Sequence, residues 1–272
     1  MKIGLISDLH LCRKINTVIN ALDRVHDVDL LLIAGDLVDR GTREQYDLLA
    51  QCIQDTIPTV PILSVSGNHD NPQKDDTNYR KFEMFLNAKT DMEIIHDKSG
   101  AFMVNLDDYT DLYGLNPVYH QKLFSFPERG QQLAYLDTKL SESKMKRHII
   151  MCHAPLIAHN PQRSADMQPY FSKEQDRRLQ DIVNKCGNVI FLSGHTHLTP
   201  TVDFDIKYNN WYINDGSIRP TTVKGSNGET MQGNVTIIET SEVYVSVLIH
   251  GIYSDKVFLK KGFTCNEYKG IQ

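Results

Sequence analysis

Three continuous apolar runs, "KIGLIS" (2–7), "VDLLLIAG" (28–35) and "TVPILSVSG" (59–67), alternate with segments of helical period. In the first intervening segment (13–28), Ile15, Val18, Ile19, Leu22 and Val25 fall on one helical face. In the second (43–56), Tyr46, Leu49, Ala50 and Ile53 do the same. A strand that is apolar on both faces needs cover on both faces. The alternation therefore predicts βαβ units around a buried sheet. "RHIIMC" (147–152) and "NVIFLS" (188–193) read as two more strands of this kind.

The middle of the chain is mixed. Residues 79–89 and 129–143 carry helical patterns, and residues 92–115 read as short strands around a "DKSG" turn. Ser172 and Gln175 match a capping box before a further helix, and Gly187 suits its end. From 200 to 264 the pattern turns strand-rich. No repeat, low-complexity tract or linker divides the sequence, so residues 1–272 read as one domain. Residues 200–272 are expected to complete a second sheet, with a dimer edge or a cap over a cleft as alternatives.

At 272 residues and 40% hydrophobic, the chain is long enough to bury a sizeable core. Its formal net charge of -5 supplies no broad phosphate-contacting face, so nucleic acid is not an expected partner. The five cysteines (Cys12, Cys52, Cys152, Cys186 and Cys265) are widely spaced and form no Cys-x-x-Cys pair. That usage predicts free thiols in a reducing compartment. The opening "MKIGLISDLHL" is too short in apolar residues for a secretory leader, and no run is long enough to cross a bilayer. A soluble, cytoplasmic protein is the expectation.

What the strands run into is more telling. They end in Ser7-Asp8-Leu9-His10, Gly35-Asp36-Leu37-Val38-Asp39-Arg40, Gly67-Asn68-His69-Asp70, His153-Ala154-Pro155 and Gly194-His195-Thr196-His197. In open α/β sheets ligands gather beyond the carboxyl ends of the strands, so these side chains are expected to converge. Glycine before the polar residue permits a sharp exit and close approach. The set mixes oxygen and nitrogen donors without thiolate, and it is too large for one tetrahedral ion. It suits two divalent ions sharing a carboxylate, with Mn, Fe or Zn favoured over Ca or Mg alone. Any single histidine here would be read as a satisfied core or surface residue, and Asp8 alone as a helix cap. Burying Asp8, Asp36 and several imidazoles at one sheet edge is expensive without an ion. His26, His96, His120, His148 and His250 sit in no such block and are read as structural.

In order, "DLH", "GDLVDRG", "GNHD", "HAP" and "GHTH" resemble the signature blocks of the calcineurin-like metallophosphoesterase superfamily, across residues 8 to 197. "YINDGS" (212–217) resembles that family's Asn-Pro-Gly-Ser strand end, with Asp215 where proline is usual. The resemblance implies an α/β fold, a four-layer α-β-β-α sandwich with two mixed sheets, with the site at the strand carboxyl ends. It implies that Asp8, His10 and His197 hold one ion, and that Asn68, His153 and His195 hold a second. Asp36 would bridge the two. His-x-His in extended backbone is expected to point both imidazoles to one face. His69 is the expected general acid, with Asp70 orienting it. Asp39 and Arg40 would fix the loop, or Arg40 would clamp a phosphate oxygen. His159 could line the cleft.

The expected activity is hydrolysis of a small phosphodiester, a nucleotide among the candidates. A phosphoprotein phosphatase or a phosphomonoesterase is the alternative. There "GNHD" departs, carrying Asp70 where those enzymes have glutamate. A scaffold that has lost its chemistry would show degenerate ligands, and here all seven are present with His69.

Overall fold

In the computed structural model, which describes residues 1–71, 75–159, 170–219, 233–253 and 257–264, the three leading apolar runs become β1 (Lys2–Ile6), β2 (Leu30–Ala34) and β3 (Ile62–Val65). They pair in parallel, with Ile3 beside Leu30 and Leu31 beside Ile62. Between them lie α1 (Asn16–Asp23) and α2 (Arg43–Thr56). The second helix opens where Thr42 Oγ1 accepts from the Gln45 amide at 3.4 Å. The first is shorter than the 13–28 pattern, starting after Ile15, where no side chain caps its amides, and giving way to a turn over residues 24–27.

After β3 come α3 (Thr77–Asn87), β4 (Ile94–His96), β5 (Phe102–Asn105) and β6 (Thr110–Leu115). A small hairpin follows, β7 (Val118–His120) and β8 (Leu123–Ser125), which the sequence pattern did not disclose. Then come α4 (Pro127–Glu142), β9 (Arg147–Cys152), α5 (Lys173–Cys186) and β10 (Val189–Ser193). Ser172 Oγ caps α5 by accepting from the Gln175 amide at 3.3 Å. The reciprocal half of the capping box is not made; Gln175 Oε1 instead accepts from the Phe126 amide at 3.1 Å and ties α5 to α4. The closing strands are β11 (Thr201–Asp205), β12 (Asn210–Asn214), β13 (Asn234–Thr240), β14 (Tyr244–Gly251) and β15 (Val257–Thr264).

Two mixed sheets result. One runs β15-β14-β13-β1-β2-β3 and the other β11-β12-β10-β9-β6-β5-β4. The strand-rich end thus serves both: β11 and β12 extend the second sheet, and β13 to β15 extend the first. Alternation along the strands sorts the layers. Ile3, Leu5, Leu30, Leu32 and Ala34 point inward and meet Leu112, Ile149, Met151 and Ile190 of the facing sheet. Leu31 and Ile33 point outward against Leu22, Leu49 and Ile53 of α1 and α2. On the far side Ile150 and Phe191 pack on Leu133, Leu136 and Leu179 of α4 and α5. These layers are the four of an α-β-β-α sandwich, and each buried leucine or isoleucine contributes roughly 1.5–3 kcal/mol of apolar burial. The four described cysteines are free, and Cys265 lies outside the described residues. Among the described residues no helix is long and apolar enough to cross a membrane.

Candidate metal centre

The exits of β1 and β2 run side by side. The amide of Asp8 donates to Gly35 O at 3.0 Å, and that of His10 to Asp36 O at 2.9 Å. From β10, the amide of Gly194 donates to His153 O at 3.0 Å, which joins the exits of β9 and β10. Gly35, at φ 89°, leaves room for the His153 ring, which a Cβ there would strike.

Five of the candidate ligands hold left-handed backbone: Asp8 (φ 53°), His10 (42°), Asp36 (51°), His195 (70°) and His197 (51°). For non-glycine residues this region costs roughly 1–2 kcal/mol each, and it concentrates where function over-determines geometry. The expectation of an extended His-x-His is corrected here. Both histidines turn left-handed after β10 has ended at Ser193, and it is these turns that bring their rings back toward Asp8 and Asp36.

Asp8, His10, Asp36 and His197 form one group whose donor atoms all lie within 4.8 Å of one another, and Asp36, His153 and His195 form another. Asp36 belongs to both. Its Oδ2 is 3.3 Å from His153 Nε2 and 3.6 Å from His10 Nε2, while Oδ1 accepts from the His69 amide at 2.8 Å. Asp8 Oδ1 lies 2.9 Å from His197 Nε2. Its Oδ2 accepts from the His195 amide at 2.9 Å and from Ser7 Oγ at 2.5 Å.

Nitrogen faces nitrogen across the cluster. His10 Nε2 lies 2.9 Å from His197 Nε2, and His195 Nδ1 lies 3.3 Å from His153 Nε2. Two such imidazole pairs around two buried carboxylates are what a shared cation would reconcile. The tautomers agree. His153 Nδ1 is 2.7 Å from Ala34 O, so it carries the hydrogen and leaves Nε2 for a ligand. Asn68 Oδ1 is buried without a hydrogen-bond partner, the state of an amide oxygen shaped to ligate. The donor set therefore fits a divalent cation.

Electrostatics point the same way. Burial opposes the Asp8 anion, but the bond from His197 and the charge of His153 hold its carboxyl below the usual range. Asp36 is likewise held down against burial, by the charge and hydrogen bond of His153. Burial pushes His10 down to about 4 and His195 to about 3. His153 is the exception: Asp36 and Asp8 overrule its burial and raise it to about 10.

The remaining expected residues separate. His69 stays at the cluster, grouped with His10 and Asp39, and its side chain is 39% exposed. Its Nδ1 is 2.7 Å from Asp39 O, a bond that leaves Nε2 uncommitted. Asp70 does not orient it. That carboxylate accepts from the amides of Leu37 (3.0 Å) and Gly67 (2.7 Å) and from Tyr46 Oη (3.0 Å), so it binds the two loops together. Burial and the nearby charge of Asp36 raise its carboxyl to about 6. Arg40 is not brought to the cluster. Its side chain is 80% exposed beside Asp39, and its amide donates to Gln45 Oε1. His159 stacks on Tyr212 with ring centroids 3.4 Å apart.

Sequence reasoning missed three neighbours. Phe124 of the hairpin stands edge-on to His195 at 5.1 Å, and Tyr170 at 4.5 Å. Asp215 reaches Ser7 Oγ at 2.5 Å, and burial lifts its carboxyl to about 8. Only Asp215 had left a sign in the sequence, as a substitution for proline.

A family model described as calcineurin-like phosphoesterase matches residues 1–198. A protein of Arcobacter nitrofigilis named as a probable glycerophosphodiester phosphodiesterase is 22% identical over 175 residues, covering 64% of this chain and 58% of that one. A probable cyclic nucleotide phosphodiesterase of Ruthia magnifica is 28% identical over 198 residues, covering 71% of this chain and 70% of its own. The chain thus spans less than two thirds of the Arcobacter relative. Among solved structures, the purple acid phosphatase PPD1 of yellow lupin superposes with a TM-score of 0.64 at 12% identity, over 97% of this chain and 53% of that one, which is a likeness of fold.

Proposed function

Because the chain belongs to the calcineurin-like phosphoesterase family, we propose that it is a hydrolase of small phosphodiesters that uses two divalent cations, and that nucleotides are among its substrates. The observation that carries this reading is the pair of donor groups sharing Asp36. Asp8, His10 and His197 would hold one ion, Asn68, His153 and His195 the other, and Asp36 would bridge. Carboxylate, imidazole and amide donors favour Mn, Fe or Zn. When bound, such ions neutralise charge on the phosphate and lower the pKa of water toward about 7.

The protein's own residues do the rest. His69, fixed through Nδ1 by Asp39, presents Nε2 to the leaving oxygen and returns a proton to it. Asp70 sets where Asp36 and His69 stand by anchoring both loops. Phe124 and Tyr170 pack edge-on against the His195 ring. The names of the relatives support a diester over a phosphoprotein, and the acidic balance supports a small molecule over nucleic acid. We take residues 1–272 as a single domain, since β1 and β15 share one sheet. The free thiols support a cytoplasmic setting.

The test is metal content per chain, with turnover of bis-p-nitrophenyl phosphate, p-nitrophenyl phosphate and cyclic nucleotides in Mn²⁺. Hydrolysis of the diesters with two ions bound is expected. Bound metal with no hydrolysis of any of them overturns catalysis, and hydrolysis of the monoester alone overturns the diesterase assignment.

A further inference from the structure

The Ser7 hydroxyl stands 2.5 Å from Asp8 Oδ2 and 2.5 Å from Asp215 Oδ1. Both carboxyl groups are fully buried. A serine hydroxyl carries one hydrogen and can donate to one of them only. The other oxygen, at that separation, must carry a hydrogen of its own directed at Ser7 Oγ, or two lone pairs would be forced together.

The surroundings decide which carboxyl bears it. Asp8 Oδ2 already accepts from the His195 amide at 2.9 Å, and its Oδ1 faces the imidazole nitrogens of His10 and His197. Asp215 has no such company, and its Oδ2 has no hydrogen-bond partner. Its backbone is pinned, with its amide donating to Ser193 O at 3.1 Å and its carbonyl accepting from Asn234 Nδ2. Resting on the reading of Asp8 as a metal ligand, we propose that Asp215 is a neutral acid that donates to Ser7, which donates to Asp8, and so positions Asp8 for its cation.

The relay acts through direction. Oδ2 of Asp8 is occupied by Ser7 and the His195 amide, so the carboxylate is fixed with Oδ1 turned to the imidazoles of His10 and His197. Gly194 closes the arrangement, since a Cβ there would strike both Ser7 Oγ and Asp8 Oδ2. Proline at 215 would leave Ser7 with a single carboxylate partner, so the relay requires the carboxyl group at this position. Asp215 is a positioning residue; it touches Ser7 and not the reacting atoms.

The experiment combines infrared spectroscopy with calorimetry of Mn²⁺ binding on the purified full chain. The difference spectrum of wild type against Asp215→Asn should show the carbonyl stretch of a protonated carboxyl, lost in the variant and shifted by Ser7→Ala. Asparagine keeps an N–H for Ser7 and should hold Mn²⁺ within about three-fold of wild type, whereas Asp215→Ala should bind it roughly 10- to 100-fold more weakly, the usual cost of losing such a support. Absence of the band from wild type overturns the proposal, and so does an asparagine variant as weak as the alanine one. If wild type shows the band but binds no Mn²⁺, the metal centre itself falls while the neutral Asp215 stands.

Discussion

Asp36 Oδ2 and His153 Nε2 lie 3.3 Å apart, both side chains buried, in a contact that joins the exit of β2 to that of β9. Each sheet therefore depends on the other for half of its site. A carboxylate that stands in both donor groups cannot be replaced by an amide without loss to both. Asp36→Asn should keep the fold by circular dichroism and retain less than one ion per chain by elemental analysis. Its turnover should fall by at least about 100-fold. Wild-type metal content in this variant would remove Asp36 from the bridging role.

His69 is expected to act on the leaving group and not on metal retention. In His69→Ala, metal content should match wild type, while kcat on a nucleotide diester falls about 10²- to 10⁴-fold. A nitrophenolate leaves readily without a proton, so bis-p-nitrophenyl phosphate should suffer much less. Equal losses on both substrates would show that His69 is not the acid.

Much of this could be read from the chain because the site is written at strand ends. Leu31 and Ile33 face helices while Leu30 and Leu32 face the second sheet, so a run of apolar residues announces a doubly covered strand. The polar residue that follows then stands out. The backbone at these residues was not legible: the left-handed turns at His195 and His197 arise from packing against Asp8 and Asp36, residues some 160 to 190 positions away in the chain. The partner of Asp70 was misjudged for the same reason. Adjacency suggested His69, but a buried carboxylate goes where unsatisfied amides are, and those belong to Leu37 and Gly67. The exposure of Arg40 was equally invisible, since charge next to a site block says nothing about which way the side chain leaves the loop.

The Asp70 bonds make a graded prediction. Tyr46→Phe removes one donor, from Tyr46 Oη at 3.0 Å, and should cost about 1 kcal/mol in urea unfolding. Asp70→Ala strips the acceptor from several buried amides and should cost about 3 kcal/mol or more. Turnover should fall with Asp70→Ala even where the variant is fully folded, because the loops of Asp36 and His69 lose their common anchor. Equal stability of the two variants would show that the network is not held by the carboxylate.

The last prediction concerns His148 and Asp111, at the opposite ends of β9 and β6 from the metal cluster. His148 Nδ1 is 2.6 Å from Asp111 Oδ1, and Asp111 Oδ2 accepts from Tyr113 Oη at 2.8 Å and Ser143 Oγ at 2.7 Å. Burial alone would lower His148, but the bonds to Asp111 and Cys186 overrule it and raise it from 6.5 to about 9. A folded-state pKa above the unfolded one means that the stabilisation is complete below pH 6.5 and is lost as pH rises through about 9. At roughly 1.4 kcal/mol per pKa unit the pH-dependent part is on the order of 3 kcal/mol. Asp111→Asn abolishes the ion pair, and with it the Asp111 share of the pH-dependent part, while the loss of its other bonds costs the same at every pH. The stability gap between wild type and Asp111→Asn, measured by urea unfolding, should therefore narrow from about pH 6 to about pH 10. A gap that stays constant over that range would mean that His148 is neutral in the folded protein and that the pair is an uncharged hydrogen bond.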